Sequence, residues 1–542
     1  MTGLHLEAEG MSRPGGLVSS ILEGDREALA LFPPGVVGLA DTLVARSRSA
    51  SNLDPTPFHY TNPAARDRLH AALAGEGLVV TTGQQPQLFG GPLYVLYKAL
   101  SDVRCAARIV RELGIPCVAV FWVAADDHDW PEVASIGYLD RDEQFRRRRL
   151  EAPADRVGRP VGPSPLPAEV DHLTREFLEA IDSREAGDRW LGVLRDQYST
   201  GRSFTDAFIG VVSEWMKGLP IAFLSSAHPA VRAAASPFVR RVLEQGDLAD
   251  DALRRGTEAV TELGYRAQLK QTPGAIPLFR EGAGGRYRLR SASGLIQIDR
   301  DDNFKGVAEL VAETTSDSGR FSPSAALRPV LESRLLPVQA TILGPGEIAY
   351  WSQLPPLFQA LEVPMPSILP RDSWRVVEPR TERLLRKTGV SADELRDGGA
   401  AAAAGLVERS RPRGVEEALL RLEDRVEEEF GALESTIVSD LPGLRSAVGK
   451  SRSQTFSALA ALRRTLDSVT REREESTLGQ LRRAAANLFP DGIPQERALA
   501  VWVYLARYGD EFIDAARSAA LEAPSEHPSS RVDGVAGGAT AE

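Results

Sequence analysis

Residues 78–124 read strand, helix, strand, and that order dictates a parallel sheet. LVVTT at 78–82 is a short apolar strand, and the loop GQQPQLFGG follows it. Pro92 suits the first turn of a helix. That helix runs to Leu113, with Leu93, Leu96, Leu100, Val103, Ala107 and Val110 on one stripe and Gly114 as its stop. PCVAVFWVA at 116–124 is apolar almost throughout, as a strand buried on both faces must be. Parallel strands need crossover helices, so the chain is expected to be α/β.

Other stretches extend this sheet. A strand is expected at Pro220–Leu224, another at 338–343 (VQATIL), and a return at 366–371 (PSILPR). GPG after the second of these makes a tight turn into a helix over Glu347–Leu361. PLFRE, RYRLR and LIQI, separated by GAGG and SASG, read as a small antiparallel insertion at about 275–305. Residues 1–75 read as helical segments broken by proline-containing loops. Residues 1–395 are therefore taken as the core with inserted segments.

Beyond Asp397 the composition shifts. GGAAAAAG is a flexible or weakly helical connection, and 413–485 is mainly helical. Leu419, Leu422, Val426, Leu433 and Ile437 keep three-four spacing, as do Leu459, Leu462, Leu466 and Val469 beyond Pro442. Two amphipathic helices broken at Pro442–Gly443 predict an antiparallel coiled-coil hairpin, with an ordinary helical bundle as the alternative. A final helix over Gln495–Leu521, carrying Trp502, Tyr504 and Tyr508, is expected to return to the core. This gives a helical coiled-coil domain at 396–522. A tail at 523–542, rich in Ser, Gly, Pro and Ala, is expected to be disordered.

A net charge of −11, from 64 basic and 75 acidic residues, argues against broad nucleic-acid or membrane-surface binding. No apolar run approaches the roughly 18 residues of a transmembrane helix. The first residues lack the charged and apolar regions of a secretory signal, so a cytoplasmic location is expected. Two cysteines, Cys105 and Cys117, make neither a disulfide framework nor a four-thiolate zinc site. They read as small buried hydrophobes, with a catalytic thiol as the alternative.

Polar residues gather where strands end. Thr82, Gly83, Gln84 and Gln85 follow the first strand, where an open α/β sheet binds ligands and where free N–H groups favour an anion. A purely structural loop is the competing reading, since neither a dinucleotide fingerprint nor a phosphate loop is present. ADDHDW follows the second strand. Asp126, Asp127, His128 and Asp129 crowd three carboxylates and an imidazole together, which suits general acid–base work or a magnesium ion. Capping of the next helix is the bland alternative. Arg328 offers a fork for a carboxylate or phosphate, or is a surface arginine. Gly344 and Gly346 permit close backbone approach, and Glu347, Tyr350 and Trp351 are read onto one side of the next helix, for binding or for core packing. The run Arg146–Arg149 reads as a solvated patch. Of the remaining histidines only His228 has a ligand-facing position.

At these residues the chain resembles the bacillithiol-synthesis cysteine-adding enzymes, the cysteine ligase family BshC. The resemblance rests on TTGQQPQLFGGPLYVLYKAL, FWVAADDHDWPEV, FSPSAALRPVLESRLLP, LGPGEIAYWSQL and LFPDGIPQER followed by LARYG, in the family's order from about 78 to 513. The family's acidic motif usually reads Glu-Asp-His-Asp, and here its first position is Asp126. The resemblance implies a Rossmann-like core with inserted connecting segments and a dimerising coiled coil. It also implies the joining of cysteine to the amine of glucosaminyl-malate. In that reaction Thr82–Gln85, Asp126 and Arg328 would hold substrate, Asp127, His128 and Asp129 would handle the amine proton, and Gly344, Gly346, Glu347, Tyr350 and Trp351 would line a nucleotide. Condensing a carboxylate with an amine in water needs activation, so ATP with magnesium is the reasonable co-substrate. Two other readings stay open: a nucleotidyltransferase or amidohydrolase on the same core, and a non-catalytic nucleotide-binding dimeric scaffold.

Overall fold

The computed structural model describes residues 4–9, 16–38, 50–270, 272–282, 284–299 and 303–522. The expected disordered tail lies outside them. The chain divides into two compact units. One comprises His5–Arg141, Arg146–Arg375 and Glu496–Glu542, the other Met1–Leu4, Asp142–Phe145 and Val376–Gln495.

The first unit is built on a six-stranded sheet. Its strands are β1 (Phe58–Tyr60), β2 (Leu78–Gln84), β3 (Cys117–Val123), β4 (Ile221–Ser225), β5 (Val338–Leu343) and β6 (Ser367–Pro370), in the order β6-β5-β2-β3-β4-β1. All neighbours are parallel except the edge strand β1, which runs antiparallel to β4. All seven residues of β3 are buried, as a strand covered by helices on both faces requires. β2 sits centrally, with its successor β3 on one side and β5 on the other. The strand order therefore reverses around it, and ligands bind at such a switch point, outside the strands' carboxyl ends. The pairings Thr82 with Phe121 and Thr82 with Ile342 bring those ends level.

Helix α1 (Leu93–Leu113) covers the sheet with Leu93, Leu96, Leu100, Val103 and Ile109 buried. Gly114 ends it in the left-handed conformation, at φ 66°, which glycine adopts without a Cβ penalty. The expected single helix at 347–361 is two: α2 (Pro345–Trp351) and α3 (Pro355–Ala360). Pro355 and Pro356 cannot donate the backbone bonds that would continue α2, so they start a new helix instead. The insertion forms a five-stranded antiparallel sheet from Ala275–Gly282, Gly285–Ala292, Leu295–Gln297, Phe304–Lys305 and Phe321–Pro323, with the last strand lying beyond the expected limits. The final helix is likewise broken, into Gln495–Ala498, Trp502–Tyr508 and Asp510–Leu521, with Gly509 between the last two.

The second unit has its own core. Leu384, Val390, Leu395, Leu406, Leu481 and Leu488 pack together, so the expected division at 395/396 falls inside this unit. The alanine run is ordered as part of the helix Ala400–Ser410. Helices α4 (Arg413–Asp440) and α5 (Arg445–Leu488) pack against each other around a turn at Pro442–Leu444. Leu419, Ile437 and Leu459 are buried between them, whereas Leu422, Leu433, Leu462 and Val469 stay exposed. Arg463 and Glu423 pair across the hairpin at 3.1 Å. Where the chain enters and leaves this unit, the Val376 N–H donates to Gln495 Oε1 at 2.8 Å and Gln495 Nε2 donates to the Val376 carbonyl at 3.1 Å.

Candidate functional site

A cavity of about 410 Å³ opens in the first unit at the carboxyl ends of the sheet strands. That volume lies within the range of small-molecule sites. Of the residues singled out from sequence, Gly83, Gln84, Gln85, Asp126, Asp127, Arg328, Gly344, Gly346, Glu347 and Tyr350 line it. Thr82, His128, Asp129 and Trp351 are not among its lining residues. Thr82 is buried and its hydroxyl donates to the Ile342 carbonyl at 3.0 Å. Trp351 packs on Phe358 in the core. Adjacent residues on a helix are turned about 100° apart, so Trp351 cannot share the face that carries Tyr350. Asp129 caps the short helix Trp130–Val133 by accepting the Glu132 N–H at 3.3 Å. His228 caps Pro229–Glu244 in the same manner, through Nδ1.

One side of the cavity is cationic. Lys98, from α1, is almost fully buried and lies 2.6 Å from Glu347 Oε2. Its ammonium also donates to the Gly83 carbonyl at 2.7 Å and to Gln84 Oε1 at 3.2 Å. Burial pulls the Lys98 pKa down, with Glu347 opposing. Arg328 Nη2 donates to the Tyr350 hydroxyl at 2.9 Å. Burial works against the Arg328 charge, but Tyr350, Glu347 and Glu332 outweigh it and hold the pKa above its usual value. Arg371 grips Glu496 with both Nη atoms, at 2.7 and 2.5 Å. Arg497 stands exposed at the cavity and makes no ion pair among the described residues.

The opposite side is acidic. Asp126 is buried and ion-paired with Arg232. Asp127 accepts from Gln85 Nε2 at 2.5 Å and from the backbone of His128 at 2.7 Å and Asp129 at 3.3 Å. Burial would raise its pKa, but Gln85, Arg286 and these backbone donors leave it below the ordinary value. Glu132 lies beside it, with Gln85 Nε2 3.4 Å away. Arg286, supplied by the antiparallel insertion, donates to Ser322 Oγ at 2.8 Å and to the Pro323 carbonyl at 2.7 Å, with its guanidinium 3.9 Å from the Phe279 ring centroid. Burial pulls its pKa down.

Tyr94, Lys98, Glu132, Ser226, Arg286, Arg371 and Arg497 belong to the site without having been singled out from sequence. Lys98 and Tyr94 were concealed in the helix that follows the glutamine loop. Glu132 lay within the quoted motif WPEV, where its position after Asp129 was the available signal. Arg286 comes from a hairpin with no other polar-site signature.

The backbone donors expected of the first loop are largely spent. Gly90 donates to Gln87, Gly91 to Leu88 and Leu93 to Leu499, each at 2.9–3.0 Å. The Gly344 N–H donates to Glu347 Oε2 at 2.8 Å, so α2 caps itself. These residues do not fit a backbone cradle for a triphosphate; charge for an anion comes from side chains. Among the described residues no three His, Cys, Asp or Glu side chains gather to hold a metal ion. With Asp126 committed to Arg232 and Asp127 to its loop donors, the acidic side does not fit a magnesium ion as it stands. No described helix is long and apolar enough to cross a membrane.

A parallel sheet with a charged cavity at its switch point, plus a helical hairpin unit, defines a Rossmann-like α/β protein with a coiled-coil domain. Residues 56–372 match the family model described as the bacillithiol biosynthesis BshC N-terminal Rossmann-like domain, and residues 375–528 match the BshC C-terminal coiled-coil domain. The chain belongs to the BshC family. It is 32% identical over 451 residues to a protein of Symbiobacterium thermophilum named "Putative cysteine ligase BshC", covering 81% of each chain. Proteins of the same name from Salinibacter ruber (27% over 493 residues, 90% of this chain and 87% of that one) and Bacillus licheniformis (26% over 440 residues, 81% and 82%) are similar as well.

Proposed function

We propose that the chain is a carbon–nitrogen ligase that joins the carboxyl of cysteine to the amine of glucosaminyl-malate. What carries this reading beyond family membership is the polarity of the cavity, cationic at Arg328 and Arg497 and acidic at Asp126, Asp127 and Glu132. An acceptor bearing carboxylates at one end and an ammonium at the other matches both sides at once. Arg328, which has no carboxylate within ion-pair distance among the described residues, takes a malate carboxylate through its fork. Arg497 takes the other. Gln84 and Gln85 orient the sugar hydroxyls, and the acidic side draws the ammonium.

The exposed leucines of α4 and α5 support pairing of the hairpin with a second copy, which makes the active form a homodimer acting in the cytoplasm. Sedimentation of the Leu422→Glu, Leu433→Glu double variant as a monomer is the expected result.

Mass spectrometry of purified protein incubated with glucosaminyl-malate and cysteine, with and without ATP and magnesium, tests the reaction. A product at the condensed mass is expected. Its absence under every condition, from folded protein, overturns the reading.

A further inference from the structure

Four carboxylates line the cavity, and three of them are committed. Asp126 is held by the buried Arg232. Glu347 pairs with Lys98 and caps α2. Asp127 accepts hydrogen bonds on both oxygens, three in all. Each already has its oxygens engaged by a neighbouring donor, which leaves it badly placed to take up a substrate's proton. His128, the imidazole of the same loop, is exposed and does not line the cavity.

Glu132 is different. Among the described residues it has no cationic partner and receives only the long 3.4 Å contact from Gln85. The short helix Trp130–Val133 holds its backbone, with Asp129 capping that helix. The side chain lines the cavity and is exposed, so it can exchange protons with solvent. The charged groups around the same space are Asp126, Asp127 and Asp129 on its own loop and Arg286, Lys98, Glu347, Arg328, Arg371 and Arg497 across it. Partial burial and the neighbouring Asp127 and Asp129 push the Glu132 carboxyl above its ordinary value, against the Gln85 contact. That direction suits a base working near neutral pH.

We infer that Glu132 is the proton acceptor of the site and removes a proton from the substrate ammonium, leaving the neutral amine free to attack. The step is a single transfer: the nitrogen gives up one proton and keeps its electron pair, and the carboxylate becomes a carboxylic acid that returns the proton to solvent. The assignment rests on the amine-acceptor reading of the cavity and adds to it the residue that does the work.

Glu132→Gln preserves shape and removes basicity. With wild-type protein making the condensed product, the expected result is a fall in kcat of about 100-fold or more, the usual worth of a general base, with KM changed little and thermal midpoint unchanged. The acid limb of the pH–rate profile disappears in Glu132→Gln and persists, with reduced kcat, in Glu132→Asp. Hydroxylamine, unprotonated at neutral pH, restores turnover to Glu132→Gln because it needs no base. Unchanged kcat and an intact acid limb in folded Glu132→Gln overturn this assignment alone and leave the ligase reading standing. Wild-type protein that makes no amide removes the reading and this assignment together.

Discussion

Lys98 and Glu347, far apart in the chain, meet in a nearly buried ion pair 2.6 Å long beneath the cavity. The pair ties α1, after the first strand of the switch point, to α2, after β5. Through Gly83 and Gln84 on one side and Gly344 on the other, it fixes both glycine turns that shape the site.

Removing one partner of such a pair strands the other charge in a poorly solvated place. Lys98→Met and Glu347→Gln are each expected to lose about 3 kcal/mol of stability in urea unfolding. The double variant is expected to lose clearly less than the sum of the two, which a double-mutant cycle reads directly.

Arg328 offers a planar fork whose other known contact is the Tyr350 hydroxyl. Arg328→Lys keeps the charge and discards the fork. The acceptor KM is expected to rise about 10-fold or more, in line with the worth of a hydrogen bond to a charged group. Cysteine KM should change little, and steady-state kinetics with each substrate varied separates the two.

Glu332 is buried, one turn beyond Arg328, and its Oε1 has no hydrogen-bond partner among the described residues. Burial pushes its pKa up to about 7, against the pull of Thr81 and Arg328. In the unfolded chain the carboxyl ionises near pH 4.5; in the folded chain it holds its proton until about 7. Stability from this group is complete below the lower value, falls as pH rises between the two, and is gone above the upper one. The loss amounts to about 3 kcal/mol at 1.36 kcal/mol per pH unit. Unfolding free energies measured from pH 4.5 to 8 should show this slope, and Glu332→Gln should flatten it.

Cys105 and Cys117 are both buried, and burial pushes both thiols well above their usual range. A thiol held neutral and out of solvent is inert. Ellman's reagent should titrate no thiol in the native protein and two after denaturation in guanidinium.

The edge strand Phe58–Tyr60 falls in a stretch that reads as helices and proline-containing loops, but the central strands were legible because their residues leave few alternatives. VAVFWV has no polar face to offer solvent, and VQATIL agrees with β5 residue for residue. Asp126, Asp127 and Arg328 line the cavity as their strand-end positions suggest, whereas His128 and Asp129 of the same loop do not, Asp129 being spent on a helix cap. Lys98 was not, since a lysine in an amphipathic helix ordinarily reads as solvated and its partner Glu347 is distant in sequence. Arg371 escaped for a related reason: what places it is the Glu496 carboxylate, a long-range pairing that no local spacing announces. Trp351 reversed the error. It reads onto the same side as Tyr350, which lines the cavity, although helical rotation sends it to the core.

The reciprocal hydrogen bonds between Val376 and Gln495 have an evolutionary consequence. A stretch of chain whose two ends already clasp each other can be spliced into a host, or cut from it, at a single point on the host's surface. Residues 376–495 have that property and a nucleus of apolar side chains to themselves. With Asp142–Phe145, which the same unit takes in, they form a module whose two chain ends stay clasped however long the hairpin between them becomes.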